Sequence, residues 1–471
     1  MKKNIKYTLL IIIIFLLTRS IIARLYAYDF NLFCGDSAFY LYLSTHLNQV
    51  AADRPSGYPF FLALFSSSNF NPKIVINIQI IISFLSIILF YLITSRTYKN
   101  YKLSFYLSLI LCLYPHTIFM ERSYMPDSIS ISILLINLSL LFLSNYRFLI
   151  LPFIGLSLGY LPLLRTNHLI FSFFLMGLFT VKILFFSKSP IRLKATKAFF
   201  LLLPFFILIF WYTNVFVYKQ LGVKNLSNFG GKILFSNLAP NSSCKDIAIA
   251  SGFNEKFLSI VTNTCNQNLL NQEQEKILWD NNGLIKTVNN RMGWDDVAMN
   301  TLYKKASQKL IQKNPLIIFA MFLRNLKTTL NISHINFYRN NYSPSLDGGC
   351  EDAISTYLKI NREEFLKNTS VNLEKNTILL FSIIATIVQK IILLITFIFL
   401  FSPFSLFFKN RILKIKLSRK QSFLFTSIYL MIIAYFLLCI GLVASSFRHL
   451  YSLFPIYVVA VFLFCQNVEK K

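Results

Sequence analysis

Acidic side chains are scarce in this sequence. The chain has 19 Asp and Glu residues against 47 Lys and Arg in 471 residues, which gives a formal net charge of +28. A positive excess of this size is common in proteins that bind nucleic acid. Here the basic residues concentrate in alternate loops between apolar segments, and a nucleic-acid-binding face has no reason to follow that alternation. The sequence therefore indicates no nucleic-acid partner.

Motifs for nucleotides and for zinc are also missing. The chain contains no P-loop and no Rossmann glycine fingerprint, so a nucleotide-bearing donor has no recognisable site. Its 7 cysteines and 5 histidines form no CxxC motif and no His/Cys cluster, which argues against zinc. Two alternatives are left for cofactors, none at all or a divalent cation.

Long apolar runs are abundant. The chain is 55% hydrophobic, with a mean hydropathy of +0.56. Because a helix needs about 20 apolar residues to cross a bilayer, the sequence predicts an all-α transmembrane bundle of about ten spans. These spans are 5–27, 73–95, 103–120, 127–145, 148–164, 168–186, 198–218, 376–402, 422–444 and 449–466.

The charged residues predict the topology. The N-terminus, the C-terminus and the alternate loops hold 19 basic residues and one acid, Glu469. The positive-inside rule places both termini in the cytoplasm. The first segment follows Lys2 and Lys3 like a signal peptide but has no clean cleavage site, so we interpret it as an uncleaved anchor. We expect a multi-pass protein of the bacterial inner membrane.

Three blocks divide the chain. Residues 1–218 hold seven spans and a long outer loop, 28–72, and residues 376–471 hold the last three spans. Between spans seven and eight, a polar insertion, 219–375, carries 13 of the 19 acids and is predicted to be extracytoplasmic. It is long enough to fold as a small domain.

Within the insertion, the pattern predicts two helices and one cysteine pair. An amphipathic helix is predicted over 296–313. The apolar run 315–322 is short for a span, so we interpret it as an interfacial or packed helix. Cys244 and Cys265 are the easiest disulfide pair by spacing, although spacing alone does not fix connectivity.

The outer loop 28–72 carries the strongest candidate site. We predict an interfacial helix over 36–50, a turn at 54–59 and a second short helix over 60–65. Asp36 has two readings, an N-cap of the first helix or a general base or metal ligand at the bilayer surface. Arg54 is either a rim residue or a clamp for phosphate. Tyr58, in the same turn, is grouped with the substrate-binding residues.

Other charged residues come from separate outer loops that meet on one membrane face in a compact bundle. The candidates for substrate binding there are Glu121, Asp127, Arg165, Arg448 and His449. Alternatively, Glu121 forms an exposed pair with its neighbour Arg122. His449 is alternatively a histidine packed at the rim of the bundle. Two or three arginines with one or two carboxylates suit an anionic lipid head group that undergoes displacement.

The chain resembles the GT-C class of polytopic glycosyltransferases, in particular the branch of protein mannosyltransferases and lipid A aminoarabinose transferases. The first-loop acid and the R-P-x-G-Y-P turn carry most of the match. The matching stretches are Gly35 to Tyr40, Arg54-Pro55-Ser56-Gly57-Tyr58-Pro59, Leu113-Tyr114-Pro115 with Glu121 and Met125-Pro126-Asp127, Gly155 to Thr166, Asn228-Phe229-Gly230-Gly231 through Asn237, and Phe447-Arg448-His449 with Pro455.

The resemblance implies a fold and a reaction. It implies a polyprenyl-phosphate sugar as donor, an extracytoplasmic glycan, lipid or protein as acceptor, and inversion at the sugar. Asp36 is then the base or a metal ligand, and Arg54, Arg165 and Arg448 stabilise the departing phosphate. Many relatives carry a second acid where this chain has Ser37, so a metal site is left open.

Two functions of other classes stay open. A transporter or flippase of a lipid-linked glycan fits ten spans equally well, but it is expected to place ionisable residues near the middle of the bilayer. A scaffold whose insertion binds a partner is the other alternative. Loss of function in Asp36→Asn with intact binding separates an enzyme from a scaffold.

Overall fold

The structure is a computed structural model that describes most of residues 2–331 and the last helix. The described residues are 2–25, 36–50, 54–65, 72–143, 146–187, 189–270, 277–278, 282–331 and 454–468, with 387, 390, 424, 426–428 and 430–433. This part of the chain is helical and contains no strand. The predicted all-α class is therefore confirmed, while the number of spans is not.

Ten helices and one π-helical segment form the first block. The helices are α1 (Lys2–Leu25), α2 (Asp36–Thr45), α3 (Gly57–Ala63), α4 (Pro72–Tyr98), α5 (Tyr101–Leu113), α6 (Pro115–Glu121), α7 (Asp127–Leu140), α8 (Ile150–Leu164), α9 (Leu169–Phe186) and α10 (Ile191–Phe210). A 3-10 turn, Thr166–His168, leads into α9, and the π-helical segment Trp211–Val217 extends α10.

Among the described residues, four helical segments are long and apolar enough to cross a membrane. They are Asn4–Ile21, Ile74–Tyr98, Thr166–Phe186 and Ile191–Leu221. The pair α5 and α6 makes a fifth if it is counted as one span, bent by 53°. The bend lies at Tyr114, which is extended because a residue that precedes a proline avoids the helical region.

Two predicted spans are shorter than the sequence suggested. Helix α7 has 14 residues and α8 has 15. At 1.5 Å per residue they reach about 22 Å, less than the roughly 30 Å hydrocarbon core. The predicted spans 376–402 and 422–444 lie outside the described residues except for isolated positions. A ten-span bundle is therefore not confirmed.

The last described helix returns to the first block. Helix α19 (Phe454–Val468) packs on α5 and α7, and the Phe454 ring stacks on Tyr114 with centroids 3.6 Å apart. Its buried face joins the apolar core of the first block. The chain end thus packs beside the bend between α5 and α6.

Helices α8 and α10 pack closely because α8 presents glycine. A Cβ at Gly155 would lie 2.2 Å from the Leu201 carbonyl oxygen of α10. Small residues at such contacts let membrane helices approach backbone to backbone.

Gly155→Ala is expected to destabilise the protein by about 1–3 kcal/mol, since the added methyl group overpacks the contact between α8 and α10. Gly177→Ala in α9 is the matched control, because a Cβ there meets no atom within 4 Å. It should be neutral or slightly stabilising. Thermal unfolding in detergent measures both, and equal midpoints for the two variants would contradict the packing argument.

The insertion forms a second helical unit with its own apolar core. Helix α11 (Tyr218–Leu221) still belongs to the apolar segment that begins with α10. The helices of the insertion are α12 (Gly230–Leu238), α13 (Cys244–Ser251), α14 (Glu255–Thr264), α15 (Gln267–Leu270), α16 (Leu284–Met292), α17 (Asp296–Lys313) and α18 (Ile317–Asn331). The predicted amphipathic helix over 296–313 is confirmed as α17, which buries Leu302, Ala306 and Leu310. The disulfide Cys244–Cys265 is also confirmed.

Helix α18 joins the two units. Ile317 and Met321 lie in the core of the insertion, and Phe322 and Leu326 pack against the core of the first block. This is the packed helix that the short apolar run 315–322 predicted. The contact fixes how the insertion sits on the bundle.

Candidate functional site

Asp36 and Arg54 form an ion pair at the start of α2. The Arg54 Nη2 atom lies 2.5 Å from the Asp36 Oδ1 atom, and the two side chains are 19% and 24% exposed. The guanidinium also lies over the rings of Phe39 and Tyr40, at 5.2 and 5.6 Å from their centroids. The pair is thus held in place and is still reachable by a ligand.

Helix α2 is shorter than predicted. It begins at Asp36, an acid in its first turn, and ends at Thr45 rather than at residue 50. The Thr45 hydroxyl donates to the Tyr42 carbonyl at 2.8 Å, and a His46 ring nitrogen lies 3.0 Å from the same oxygen. These side chains compete with the backbone for the last carbonyl groups, which favours ending the helix.

The predicted turn at 54–59 is half helical, because α3 begins at Gly57. A Cβ at Gly57 would lie 2.4 Å from the Leu163 carbonyl oxygen of α8, so only glycine fits there. The Tyr160 hydroxyl donates to the Gly57 carbonyl at 2.6 Å, and the Ser56 N–H donates to the Tyr212 hydroxyl at 2.8 Å. The turn is therefore fixed to the C-terminal end of α8.

Asp127 and Arg165 form a second ion pair at the same end of α8. The Arg165 Nη2 atom lies 2.6 Å from the Asp127 Oδ2 atom, with side-chain exposures of 9% and 4%. Arg165 follows the last residue of α8, and Asp127 begins α7. Unlike the Asp36–Arg54 pair, this pair is shielded from solvent.

Two further polar groups lie beside the second pair. His168 is fully buried, and both of its ring nitrogens lack a hydrogen-bond partner among the described residues. The Ser128 hydroxyl also lacks one in this part of the chain. His168 was not anticipated from the sequence as a site residue, and its only signal was its place in the polar run 165–168.

Two tyrosines, Tyr40 and Tyr58, lie between the Asp36–Arg54 pair and the Asp127–Arg165 pair. The Tyr40 ring, beneath Arg54, meets the Tyr58 ring edge to face, with centroids 5.2 Å apart. Burial raises the pKa of Tyr58 well above its usual range, and the neighbouring Tyr124, Tyr40 and Asp127 raise it further. Tyr58 therefore stays protonated at neutral pH, and its hydroxyl donates to Gln79 Oε1 at 3.0 Å.

Glu121 has a different environment from the one predicted. It is fully buried and accepts two hydrogen bonds from Arg19, Nε to Oε2 at 2.8 Å and Nη2 to Oε1 at 2.7 Å. The Ser83 hydroxyl adds a third, at 2.5 Å. Arg122 is buried as well and donates to the Arg19 carbonyl at 3.0 Å.

These contacts correct one sequence interpretation. Glu121 and Arg122 are not an exposed pair, because packing of α1 against α4 and α5 encloses them. The predicted role of Glu121 in substrate binding stays a prediction, and its observed contacts are those of a buried ion pair. The sequence did contain a sign that Arg19 needs a partner, because this arginine interrupts the first apolar segment.

The remaining candidates are not all brought together. Arg448 and His449 lie outside the described residues. Among the described residues, no group of three or more His, Cys, Asp and Glu side chains is placed to hold a metal ion. The Asp36 carboxylate, the predicted ligand, is paired with a guanidinium instead.

No family model, no curated protein and no solved structure matches this chain.

Proposed function

We propose that this protein is a membrane-embedded glycosyltransferase that moves a sugar from a polyprenyl phosphate to an extracytoplasmic acceptor. The partly exposed Asp36–Arg54 pair, at the end of α8 where the Asp127–Arg165 pair also lies, carries the proposal. A carboxylate and a guanidinium within reach of one ligand offer a base and an anion-binding group. The apolar helices around them suit a lipid-linked donor.

The ion pair suggests how binding of the donor activates the base. The donor phosphate competes with Asp36 for the Arg54 guanidinium, whose planar fork matches two phosphate oxygens. Once Arg54 turns to the phosphate, Asp36 is released to accept a proton. The stacking of Arg54 on Phe39 and Tyr40 limits this exchange to a small movement of the guanidinium.

The proposed reaction is a single displacement. Asp36 takes the proton of the acceptor hydroxyl, and the acceptor oxygen forms a bond to the anomeric carbon. The bond from that carbon to the phosphate oxygen breaks, and its electrons leave with the polyprenyl phosphate, which Arg54 stabilises. The leaving group is a stable anion, so no strong general acid is required. Attack from the opposite face inverts the anomeric centre.

The buried residues have supporting roles in this proposal. Arg165 stays a predicted member of the phosphate site, and Asp127 keeps its guanidinium in place and offsets its charge. Tyr58 lies between the two ion pairs, and its hydroxyl donates a hydrogen bond to Gln79. Arg448 and His449 stay predicted members of the phosphate site, and a divalent cation stays an open cofactor.

The transporter alternative keeps one supporting observation. The Arg19–Glu121 pair is ionisable and lies inside the bundle, as charges on transport pathways do. Its side chains are 5% and 0% exposed and satisfied by hydrogen bonds, which is more typical of a structural pair.

The test of the proposed function is transfer by the purified protein in detergent. The full chain is incubated with polyprenyl-phosphate sugars and envelope extracts as acceptor, and release of free polyprenyl phosphate is measured. In proteoliposomes, movement of a labelled lipid-linked glycan between leaflets is followed in parallel. Release of polyprenyl phosphate without movement of the glycan between leaflets supports the transferase. Movement of the glycan without release of polyprenyl phosphate would contradict it and support the flippase.

The sidedness of the insertion is a separate prediction. Because basic residues are concentrated in the alternate loops, we expect residues 219–375 outside and 409–420 in the cytoplasm. A cysteine introduced at Asn282 should react with an impermeant thiol reagent in intact cells, and one at Lys416 should be protected. The reverse pattern would invert the topology and remove the outward-facing site.

A further inference from the structure

A cavity in the insertion has the lining of a sugar-binding site. Its volume is about 520 Å³, within the range of small-molecule pockets (roughly 300–1,000 Å³). Three asparagines, Asn228, Asn289 and Asn290, supply both donors and acceptors. The aromatic rings of Phe229 and Trp294 also line it, and Trp294 is 41% exposed although it is the largest side-chain type.

The charged groups of this cavity balance. Lys232 and Lys286 oppose Asp295 and Asp296 in the lining. Lys232 pairs with Asp296, and the Asp295 carboxylate accepts from the Ala298 N–H at 2.8 Å as the cap of α17. An anionic ligand therefore finds no net positive charge here, whereas a neutral ligand rich in hydroxyl groups does not need one.

The N-terminus of α12 is not free to bind an anion either. The N–H groups of Gly231 and Lys232 both donate to Asn300 Oδ1, at 2.7 and 3.2 Å. The close approach depends on glycine, since a Cβ at Gly231 would lie 2.2 Å from the Asn300 carbonyl oxygen. This contact also fixes the orientation of the Asn300 amide, because its oxygen must face the two donors.

The fixed Asn300 amide orients Asn228 in turn. Asn300 Nδ2 donates to Asn228 Oδ1 at 2.9 Å, so the Asn228 Nδ2 group faces away from Asn300. Asn228 is 5% exposed, and its Nδ2 has no hydrogen-bond partner among the described residues. A buried donor without a partner costs free energy, so a ligand oxygen that approaches Asn228 from the cavity would be favoured.

From this lining we infer that the cavity binds a neutral saccharide, with a sugar ring against the Trp294 indole and a sugar oxygen on the Asn228 amide. The aromatic face packs against the C–H groups of the ring, and the asparagines bond its hydroxyl groups. This inference goes beyond the proposed function, because the site lies in the insertion and its occupancy does not require sugar transfer.

Isothermal titration of the purified full chain tests the inference, in a detergent without a sugar head group. The probes are glucose, galactose, mannose and N-acetylglucosamine as free sugars, with inorganic phosphate as the anionic comparison. We expect saturable binding of at least one sugar that Trp294→Ala weakens, whereas any binding of phosphate belongs to the proposed Arg54 site and should be unchanged in that variant. Binding of phosphate alone, or of no sugar, would overturn the inference.

Two variants localise the binding. Trp294→Ala should weaken it at least tenfold, and Asn228→Ala should weaken it as well. Trp211→Ala is the matched control, because Trp211 is 42% exposed, much like Trp294, and lies outside the cavity lining. Unchanged affinity in Trp294→Ala, or an equal loss in Trp211→Ala, would place the sugar elsewhere. Binding is the readout, so failure here is distinguishable from failure of the transferase proposal.

Discussion

Replacing Asp36 with asparagine is expected to lower sugar transfer by about 10²-fold or more while the protein level stays normal. Asparagine keeps the size of the side chain and an oxygen that accepts from Arg54, but it loses the basicity that the reaction needs. Asp36 is 24% exposed and Arg54 19%, so the lost ion pair should cost at most about 1 kcal/mol of stability.

The same variant decides between the two readings of Asp36. If the side chain only caps α2, asparagine replaces it with little loss, because both residues cap comparably. Near wild-type transfer by Asp36→Asn would therefore remove the catalytic assignment. Asp246→Asn is the matched control, since Asp246 pairs with Lys313 at 2.6 Å in the insertion, away from the site. It should transfer normally.

Arg54→Lys extends the test to the phosphate. Lysine keeps the positive charge, but a point charge cannot replace the two parallel hydrogen bonds of a guanidinium. We expect a raised KM for the donor and a lower kcat, since the phosphate is bound in the ground state and carries more charge as it leaves. A change in the KM of the acceptor alone would argue against this role.

The second large effect is expected on stability, from Glu121→Ala. The change leaves the Arg19 guanidinium, 5% exposed, without its counter-charge inside the bundle. Removing one partner of a buried ion pair typically costs about 3–5 kcal/mol, a large part of the roughly 5–15 kcal/mol that stabilises a folded protein. Folded yield and the thermal midpoint in detergent should both fall sharply.

A double-mutant cycle identifies the cause. The cycle consists of Arg19→Met, Glu121→Leu and the double variant, and the double variant should be more stable than Glu121→Leu alone because it leaves no unpaired buried charge. Lys313→Ala, which breaks the exposed pair with Asp246, is the control and should cost at most about 1 kcal/mol. Additive effects of the two bundle substitutions would show that Arg19 and Glu121 are not coupled.

Local patterns predicted the local structures well. The spacing of apolar residues predicted helix α17 and its buried face, because side chains three or four residues apart lie on the same face of a helix. The spacing of Cys244 and Cys265 favoured their pairing, and the structure shows the disulfide. Proline and glycine marked the turn before α3, but its helical start at Gly57 was missed, since it depends on the contact with Leu163 of α8.

The lengths of the spans were less predictable. Apolar residues continue after α7 through Leu143 and precede α8 at Phe148 and Leu149, and composition alone does not show where a helix begins or stops. The bend at Tyr114 likewise follows from Pro115, yet its angle depends on packing. For these reasons the seven spans predicted up to residue 218 became four or five, while the spans 376–402 and 422–444 lie outside the described residues except for isolated positions.

Composition and periodicity along the chain are enough to predict that this protein is helical, that long apolar segments dominate it, and which charged residues are available for a site. The partners of those charges cannot be predicted in this way. Arg19 and Glu121 are 102 residues apart, and Asp127 and Arg165 are 38 apart. Such pairs form because helix packing brings distant side chains together, and no local pattern specifies that geometry.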